Sequence, residues 1–368
     1  MHHSALSQPL QSMIKHQVQN DVTIPGVIME IDAPRIGFRY SGAAGVVGFE
    51  SGAPLTCQHP VRLASNTKTY VSAAILRLWE DGRLDLDAAI PRYLPDDHIR
   101  IMRDGGYDPD AITIRHLLTH TSGLFDYSDC DDFEALVASG TYRWSRIEQL
   151  QGAMDWGRPY GIPGEVFRYT DTGYIELGEV LEQLTGQSYG AAIRELVDFE
   201  RLGLHQTWLE DFELPPEGTL PRAHQYLNGV SNYDHDASED LHGGGGLVAT
   251  MSDLLTFHRA VFTGDIYTDP ATIDVMLSTI VAQKGGPIAY GREQKPGEYR
   301  MGIFVLDLDG LTDYQHGGYF GTEAAYFPKL DVTIALTVNR TDSDAGADLL
   351  RRAIAILREP ISASDRAP

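Results

Sequence analysis

The chain has 368 residues, 42% of them hydrophobic, and carries 52 acidic against 29 basic side chains, a formal net charge of −23. That length holds one large core or two modest ones sharing a cleft. The acidic balance argues against nucleic acid or an anionic membrane as partner. No apolar span approaches the ~20 residues that cross a bilayer, and the N-terminus lacks a charged start followed by an apolar run. The expectation is a cytoplasmic protein acting on a small molecule or short peptide. Cys57 and Cys130 lie outside any CxxC pattern; a reduced compartment is the simple reading, and a single disulfide stays open. There is no internal repeat or low-complexity segment, and the oligomeric state is not encoded in any readable way.

In chain order, Leu6, Leu10, Met13, Ile14 and Val18 mark one face of an N-terminal helix. Gly26 to Ile31 and Ile36 to Tyr40 read as a hairpin turning at Ala33-Pro34-Arg35. The next helix opens near Ser65, carries Val71, Ala74, Ile75 and Leu78 at i, i+3, i+4 and i+7, and stops at Gly82. From Arg83 to Ala249 helices and long loops dominate, with an acidic loop (Asp126, Asp129, Asp131, Asp132), a turn at Pro163-Gly164 and a helix through Tyr174, Leu177, Leu181 and Leu184 ending at Thr185-Gly186. Ala192, Ile193, Leu196 and Val197 mark another. Ser252 or Asp253 is positioned to cap a helix bearing Leu254, Leu255, Phe257 and Val261. Strands return at Met301 to Leu306, Tyr314 to Gly318, Ala324 to Phe327 and Val332 to Val338, with spacings that suit antiparallel hairpins. A last helix through Ala347, Leu350, Ile354 and Leu357 is expected to end at Pro360.

The predicted fold is therefore α+β: an antiparallel sheet flanked by helices, with an inserted helical subdomain. Residues 1–82 and 250–360 form the sheet domain, 83–249 the helical subdomain and 361–368 a tail, with the site in the cleft between them.

Ser65 and Lys68 are the chemical focus. Three residues apart on a helix, their side chains lie roughly 60° apart around the axis and can touch. An N-cap serine is the bland alternative, but a capping box places Glu or Gln where Lys68 stands, and the helix N-terminus disfavours a cation. That field is expected to lower the Lys68 pKa towards a neutral amine able to take the Ser65 proton.

Four segments, Ser65-Asn66-Thr67-Lys68, His116 to Leu124, Pro163 to Tyr174 and His316-Gly317-Gly318, together resemble the serine β-lactamase and penicillin-binding-protein superfamily. The nearer pattern is its class C β-lactamase-like branch, with D-aminopeptidases, D-amino-acid amidases, DD-carboxypeptidases and esterases. Order and spacing match from about residue 20 to about residue 355.

The resemblance implies a β-lactamase/transpeptidase-like fold, Ser65 as nucleophile, Lys68 as its partner base and Tyr169 as a sharer of proton transfers. It makes His316 part of the catalytic machinery, in a His-x-Gly element where other members have lysine. Gly317 and Gly318 would let a strand edge approach the substrate, and the amides of Tyr319 and Ser65 would form the oxyanion hole. Asp171 departs from the family's asparagine; it either caps the following helix or, facing the cleft, favours a cationic substrate group.

Neither a metal nor a cofactor is implied. His116 and His120 have i, i+4 spacing but no H-E-x-x-H glutamate. Gly186-Gln187-Ser188-Tyr189-Gly190 matches G-x-S-x-G, yet a helix precedes Ser188 where that motif needs a strand, so Ser188 reads as an N-cap. The glycine run at 243–246 lacks a following Gly-Lys-Ser/Thr and reads as a flexible cleft wall.

The functional expectation is a serine hydrolase of amides or esters working through an acyl-enzyme, first of all a D-stereospecific amidase or aminopeptidase. A carboxylesterase, a β-lactamase-like hydrolase or an acyltransferase on the same residues is the alternative.

Overall fold

Among the residues described by the computed structural model, 2–279, 297–341 and 343–364, seven antiparallel strands form the main sheet. Their spatial order is Phe38–Gly45, Gly26–Ala33, Val332–Thr337, Thr322–Phe327, Leu311–Gly318, Phe304–Leu308, Gly297–Tyr299. The N-terminal hairpin thus docks beside the last strand, with Ile28 opposite Thr337 and Ile31 opposite Ile334.

Both faces of this sheet are covered, and the two-residue period decides which side chain meets which layer. Val27, Met29 and Ile31, with Val332, Ile334 and Leu336, form one core with the terminal helices His2–Asn20 and Ala345–Ser364. Ile28 and Ala335 belong to the larger core on the other face. There Asp32 meets Arg259 of the Met251–Thr263 helix at 3.4 Å. The expected amphipathic N-terminal helix is present, with Leu6, Leu10, Met13 and Ile14 buried.

Two expected helix boundaries are corrected. Thr250, not Ser252 or Asp253, caps the Met251–Thr263 helix, its hydroxyl accepting the Asp253 amide at 3.3 Å. The Asp253 carboxylate instead accepts from Gln206 N and Thr207 Oγ1, each at 2.8 Å. The last helix does not stop at Pro360 but runs to Ser364. Pro360 lacks the donor for one intrahelical bond, yet the helix continues past it and the extra turn buries Ile361 completely. Residues 361–364 of the expected tail therefore belong to this helix, and 365–368 lie outside the described residues.

The stretch from 83 to 249 alternates helices, including Ile114–Leu118, Arg146–Trp156, Asp171–Thr185 and Tyr189–Val197, with long loops. It also contains strands too short to show alternation. Thr207–Leu209 and Leu247–Ala249 join Val61–Arg62 in a three-stranded sheet, and Tyr226–Leu227 pairs with Val230–Ser231. The first of these matters for the site. Pairing of 61–62 with 247–249, continued by Leu63 N donating to Leu247 O at 2.8 Å, sets the chain entering Ser65 beside the chain leaving the glycine run.

Candidate active site

Ser65 occupies the middle of a single 3-10 turn, Ala64–Asn66, that runs without a break into the helix Thr67–Glu80. It is not an N-cap: no side chain caps this helix start. Gly82 has φ +67° just beyond the helix end, as its position after the apolar run suggested. The turn itself is strained, because buried Ala64 has φ +46°, a left-handed conformation that L-residues avoid. Long-range contacts hold it there. The Asn66 amide nitrogen donates to His316 O at 2.9 Å, its oxygen accepts from Thr322 Oγ1 at 2.9 Å and Gly318 N at 3.2 Å, and Thr322 Oγ1 lies 3.0 Å from Leu63 O. Gly318 closes against the same turn; a Cβ at this position would lie 2.1 Å from Leu63 O. The glycine is therefore needed for close approach of the Ser65 turn to the strand end.

Lys68 is fully buried, and its Nζ meets Ser65 Oγ at 2.8 Å, Gly244 O at 2.6 Å and Asp171 Oδ1 at 2.5 Å. The expected fall in its pKa is corrected. Burial does push it down, but Asp171, Tyr169 and Asp240 together outweigh burial and hold Lys68 well above the usual ammonium range. The resting side chain is an ammonium donating to Ser65 Oγ.

Asp171 also departs from its expected capping role. Thr170 caps the Asp171–Thr185 helix by accepting from Thr172 N, which frees the Asp171 carboxylate to face Lys68. The Asp171 amide donates to Asp126 Oδ2 at 3.1 Å. Burial and the neighbouring Asp171 push buried Asp126 up to about 8. Asp240 is likewise pushed up to about 8, by burial first and then by Asp171 and Glu239 against the pull of Lys68.

Tyr169, half-buried, lies beside the pair, with Lys68 Nζ 5.1 Å from its ring centroid. Burial pushes its phenol well above the ordinary value; the Lys68 charge and hydrogen bonding with Ser65 and Lys68 pull it down, and Asp171 pushes it up. The phenol is protonated at neutral pH.

His316 is brought near these groups but not onto Ser65. It is buried on Leu311–Gly318, with Nε2 3.1 Å from the Tyr299 hydroxyl and Nδ1 2.8 Å from Gly317 O. Those partners assign the proton to Nδ1 and leave Nε2 accepting from Tyr299. Burial first, then the Lys68 charge, lowers its pKa to about 3, so it supplies no positive charge. Gly317 and Gly318 end the strand, paired with Glu323 and Thr322, and the Tyr319 ring beyond them is 56% exposed at the strand end.

Sequence reasoning missed the Gly244 carbonyl, the Asp126–Asp171 contact, Asn66 and Tyr299. The glycine run offered a signal beyond flexibility. A Cβ at Gly245 would lie 2.1 Å from Asp240 Oδ1 and one at Gly243 2.3 Å from Tyr174 O, so only glycines let this segment reach Lys68. The other candidates have other roles. Ser188 caps Tyr189–Val197 by accepting from Ala191 N. His116 Nδ1 accepts from Thr113 N at 3.3 Å and His120 Nδ1 from Thr170 N at 3.2 Å, different roles rather than a ligand pair. Cys57 and Cys130 are both free.

An antiparallel sheet flanked by helices, with Ser65 and Lys68 in contact at the start of a buried helix, is the arrangement of the serine β-lactamase fold. The chain belongs to the Beta-lactamase family, whose pattern matches residues 17–359. It is 27% identical over 269 residues to penicillin-binding protein 4* of Bacillus subtilis (strain 168), covering 68% of this chain and 55% of that protein. It is 34% identical over 172 residues to esterase EstB of Burkholderia gladioli, covering 43% of this chain and 41% of the esterase. The chain thus spans about half the length of these relatives or less. Among solved structures, D-amino acid amidase from Ochrobactrum anthropi SV3, complexed with L-phenylalanine amide, superposes with a TM-score of 0.79 at 20% identity, over 97% of this chain and 99% of that one. At that identity the likeness speaks for the fold. No described helix is long and apolar enough to cross a membrane.

Proposed function

We propose that this protein cleaves an amide or ester bond through an acyl-enzyme on Ser65, with a D-stereospecific amidase or aminopeptidase as the leading reading. The observation that carries the nucleophile is the 2.8 Å contact between Ser65 Oγ and a buried Lys68 Nζ, with Tyr169 alongside. Ser65 Oγ attacks the carbonyl carbon, its proton passing to a Lys68 or Tyr169 group that has first lost one. The same group returns the proton to the leaving nitrogen or oxygen, and water then releases the acid. The amides of Ser65 and Tyr319 are the proposed oxyanion donors, presented at the strand end by Gly317 and Gly318. Uncharged His316 positions that strand end through Gly317 O and Tyr299 rather than binding a substrate carboxylate. This disfavours β-lactams.

Whole-chain likeness to a D-amino acid amidase supports the amidase reading. One observation favours a carboxylesterase instead: Asp171, the carboxylate that would greet a substrate amine, is already paired with Lys68. Assays with a D-amino-acid amide, its L-enantiomer, the N-acetylated D-amide and a short p-nitrophenyl ester separate the readings. The amidase reading expects turnover of the D-amide to exceed that of the other two amides by about tenfold or more, the worth of one polar recognition contact. Equal rates for free and acetylated amides overturn amine recognition, and turnover of the ester alone makes the protein an esterase. Ser65→Ala is expected to remove all turnover while the thermal melt stays in place. An active Ser65→Ala protein overturns the nucleophile.

A further inference from the structure

We propose that Asp171, through its ion pair with Lys68, sets the pH above which Ser65 can be activated. It is a positioning residue that acts through Lys68 and does not itself touch the substrate. The inference rests on the Ser65 nucleophile proposed above.

Nζ lies within hydrogen-bond reach of Gly244 O and Ser65 Oγ, and Asp171 Oδ1 forms an ion pair with it at 2.5 Å. The Gly244 carbonyl only accepts, so it takes an N–H whether Lys68 is an amine or an ammonium, while the Asp171 carboxylate favours the ammonium through its charge. The direction that matters for attack faces Ser65 Oγ at 2.8 Å. In the ammonium it holds an N–H, which cannot receive the serine proton; in the amine it holds the lone pair that can. If Tyr169 serves as the base, its phenol must likewise have lost a proton.

By either route the Ser65–Lys68–Tyr169 group sheds one proton to solvent before Oγ attacks. The Ser65 proton then fills the vacated position, and from there it passes to the leaving group. A negative charge 2.5 Å from Nζ opposes the first loss. An asparagine at 171 would occupy the same place without that charge.

The surroundings do not cancel the effect. Neutral His120 lies against Tyr169, with ring centroids 4.2 Å apart, and neutral His316 sits behind it at 6.4 Å. The Tyr174 ring flanks Lys68 from the Asp171 helix, and its phenol hydroxyl donates to Leu118 O at 2.9 Å. Tyr299, against Tyr169 from the edge strand, keeps its proton because burial raises it. Asp126 holds the Asp171 backbone from the far side, and Asp240 acts on Lys68 with the same sign as Asp171. Asp171 is the carboxylate in direct contact with the ammonium.

The test is acylation of Ser65 by p-nitrophenyl acetate, a neutral ester without an amine, so substrate recognition by Asp171 cannot enter. Rates are followed from acid to alkaline pH by p-nitrophenolate release and by intact mass, in the native sequence, Asp171→Asn and Asp171→Glu. Removing the charge makes the proton easier to lose, so the acid limb in Asp171→Asn is expected to move to lower pH by about one unit or more. In Asp171→Glu it is expected to stay near its original position. If Asp171→Asn does not melt cooperatively, Asp171→Ser takes its place. A Ser65 adduct that forms with the same acid limb with and without the charge overturns this inference and leaves the nucleophile standing. No adduct on the native protein overturns both.

Discussion

Lys68→Met is expected to lower turnover by about 10³-fold or more and to destabilise the fold at the same time. The activity loss follows from removing a group that shares the serine's proton transfers. The stability loss has a separate origin. Lys68 is fully buried and its ion-pair partner Asp171 is only 20% exposed, so methionine leaves a carboxylate without its cation and Gly244 O without its donor. Breaking one side of a buried pair costs about 3–5 kcal/mol, which for a chain of this size lowers Tm by about 5–10 °C. Adding Asp171→Asn to Lys68→Met removes the stranded charge. The double variant is therefore expected to regain most of the lost Tm and none of the activity. Thermal melts and ester turnover on the three proteins check both halves. A single variant that melts like the native protein would show that the pair is not a closed electrostatic unit.

Gly318→Ala should produce the other large effect, by geometry rather than charge. A methyl group there would lie 2.1 Å from Leu63 O and 2.3 Å from Thr322 Oγ1, and the first of these is backbone that cannot rotate away. Either the Ser65 turn or the strand end must move. A displacement near 1 Å at a reacting atom costs about 10²-fold in rate, and overpacking adds about 1–3 kcal/mol of destabilisation. Gly310→Ala is the control. Its φ of +79° makes alanine strained, but no atom lies within 4 Å of the added Cβ. It is expected to lose about 1 kcal/mol while keeping native turnover. Equal activity in the two variants would separate Gly318 from the placement of Ser65.

What could be read from the residues alone followed from periodicity and chain order. The N-terminal helix, the hairpin, the helix after Ser65 and the stop at Thr185-Gly186 each depend on neighbours within a few turns, and local pattern encodes them. The approximate juxtaposition of Ser65, Lys68 and Tyr169 was legible through motif order. The protonation state of Lys68 was not. The helix field pointed one way, whereas charges from Asp171 and Asp240, more than a hundred residues distant in sequence, point the other and win. Thr170 and Thr250 supplied caps where their acidic neighbours were equally plausible from composition. The strands at 207–209 and 247–249 are three residues each, too short for a period of two to show. The Gly244 carbonyl is a backbone acceptor like that of every residue, and only the glycines around it marked the close approach of that segment.

The sheet's strand order also bears on how the chain is made. Gly26–Ala33 hydrogen-bonds on one side to its own hairpin and on the other to Val332–Thr337. During synthesis that second edge therefore emerges some three hundred residues before its partner, and Val27, Met29 and Ile31 lack the C-terminal helix that covers them. Pairing across so long a loop is slow, and an open edge with an apolar face is prone to stick to other chains. Completion of the sheet is thus deferred to the end of translation, whereas the helical middle, rich in local contacts, can condense earlier. Yield during expression should accordingly depend on temperature and chaperone supply more than the stability of the finished fold would suggest.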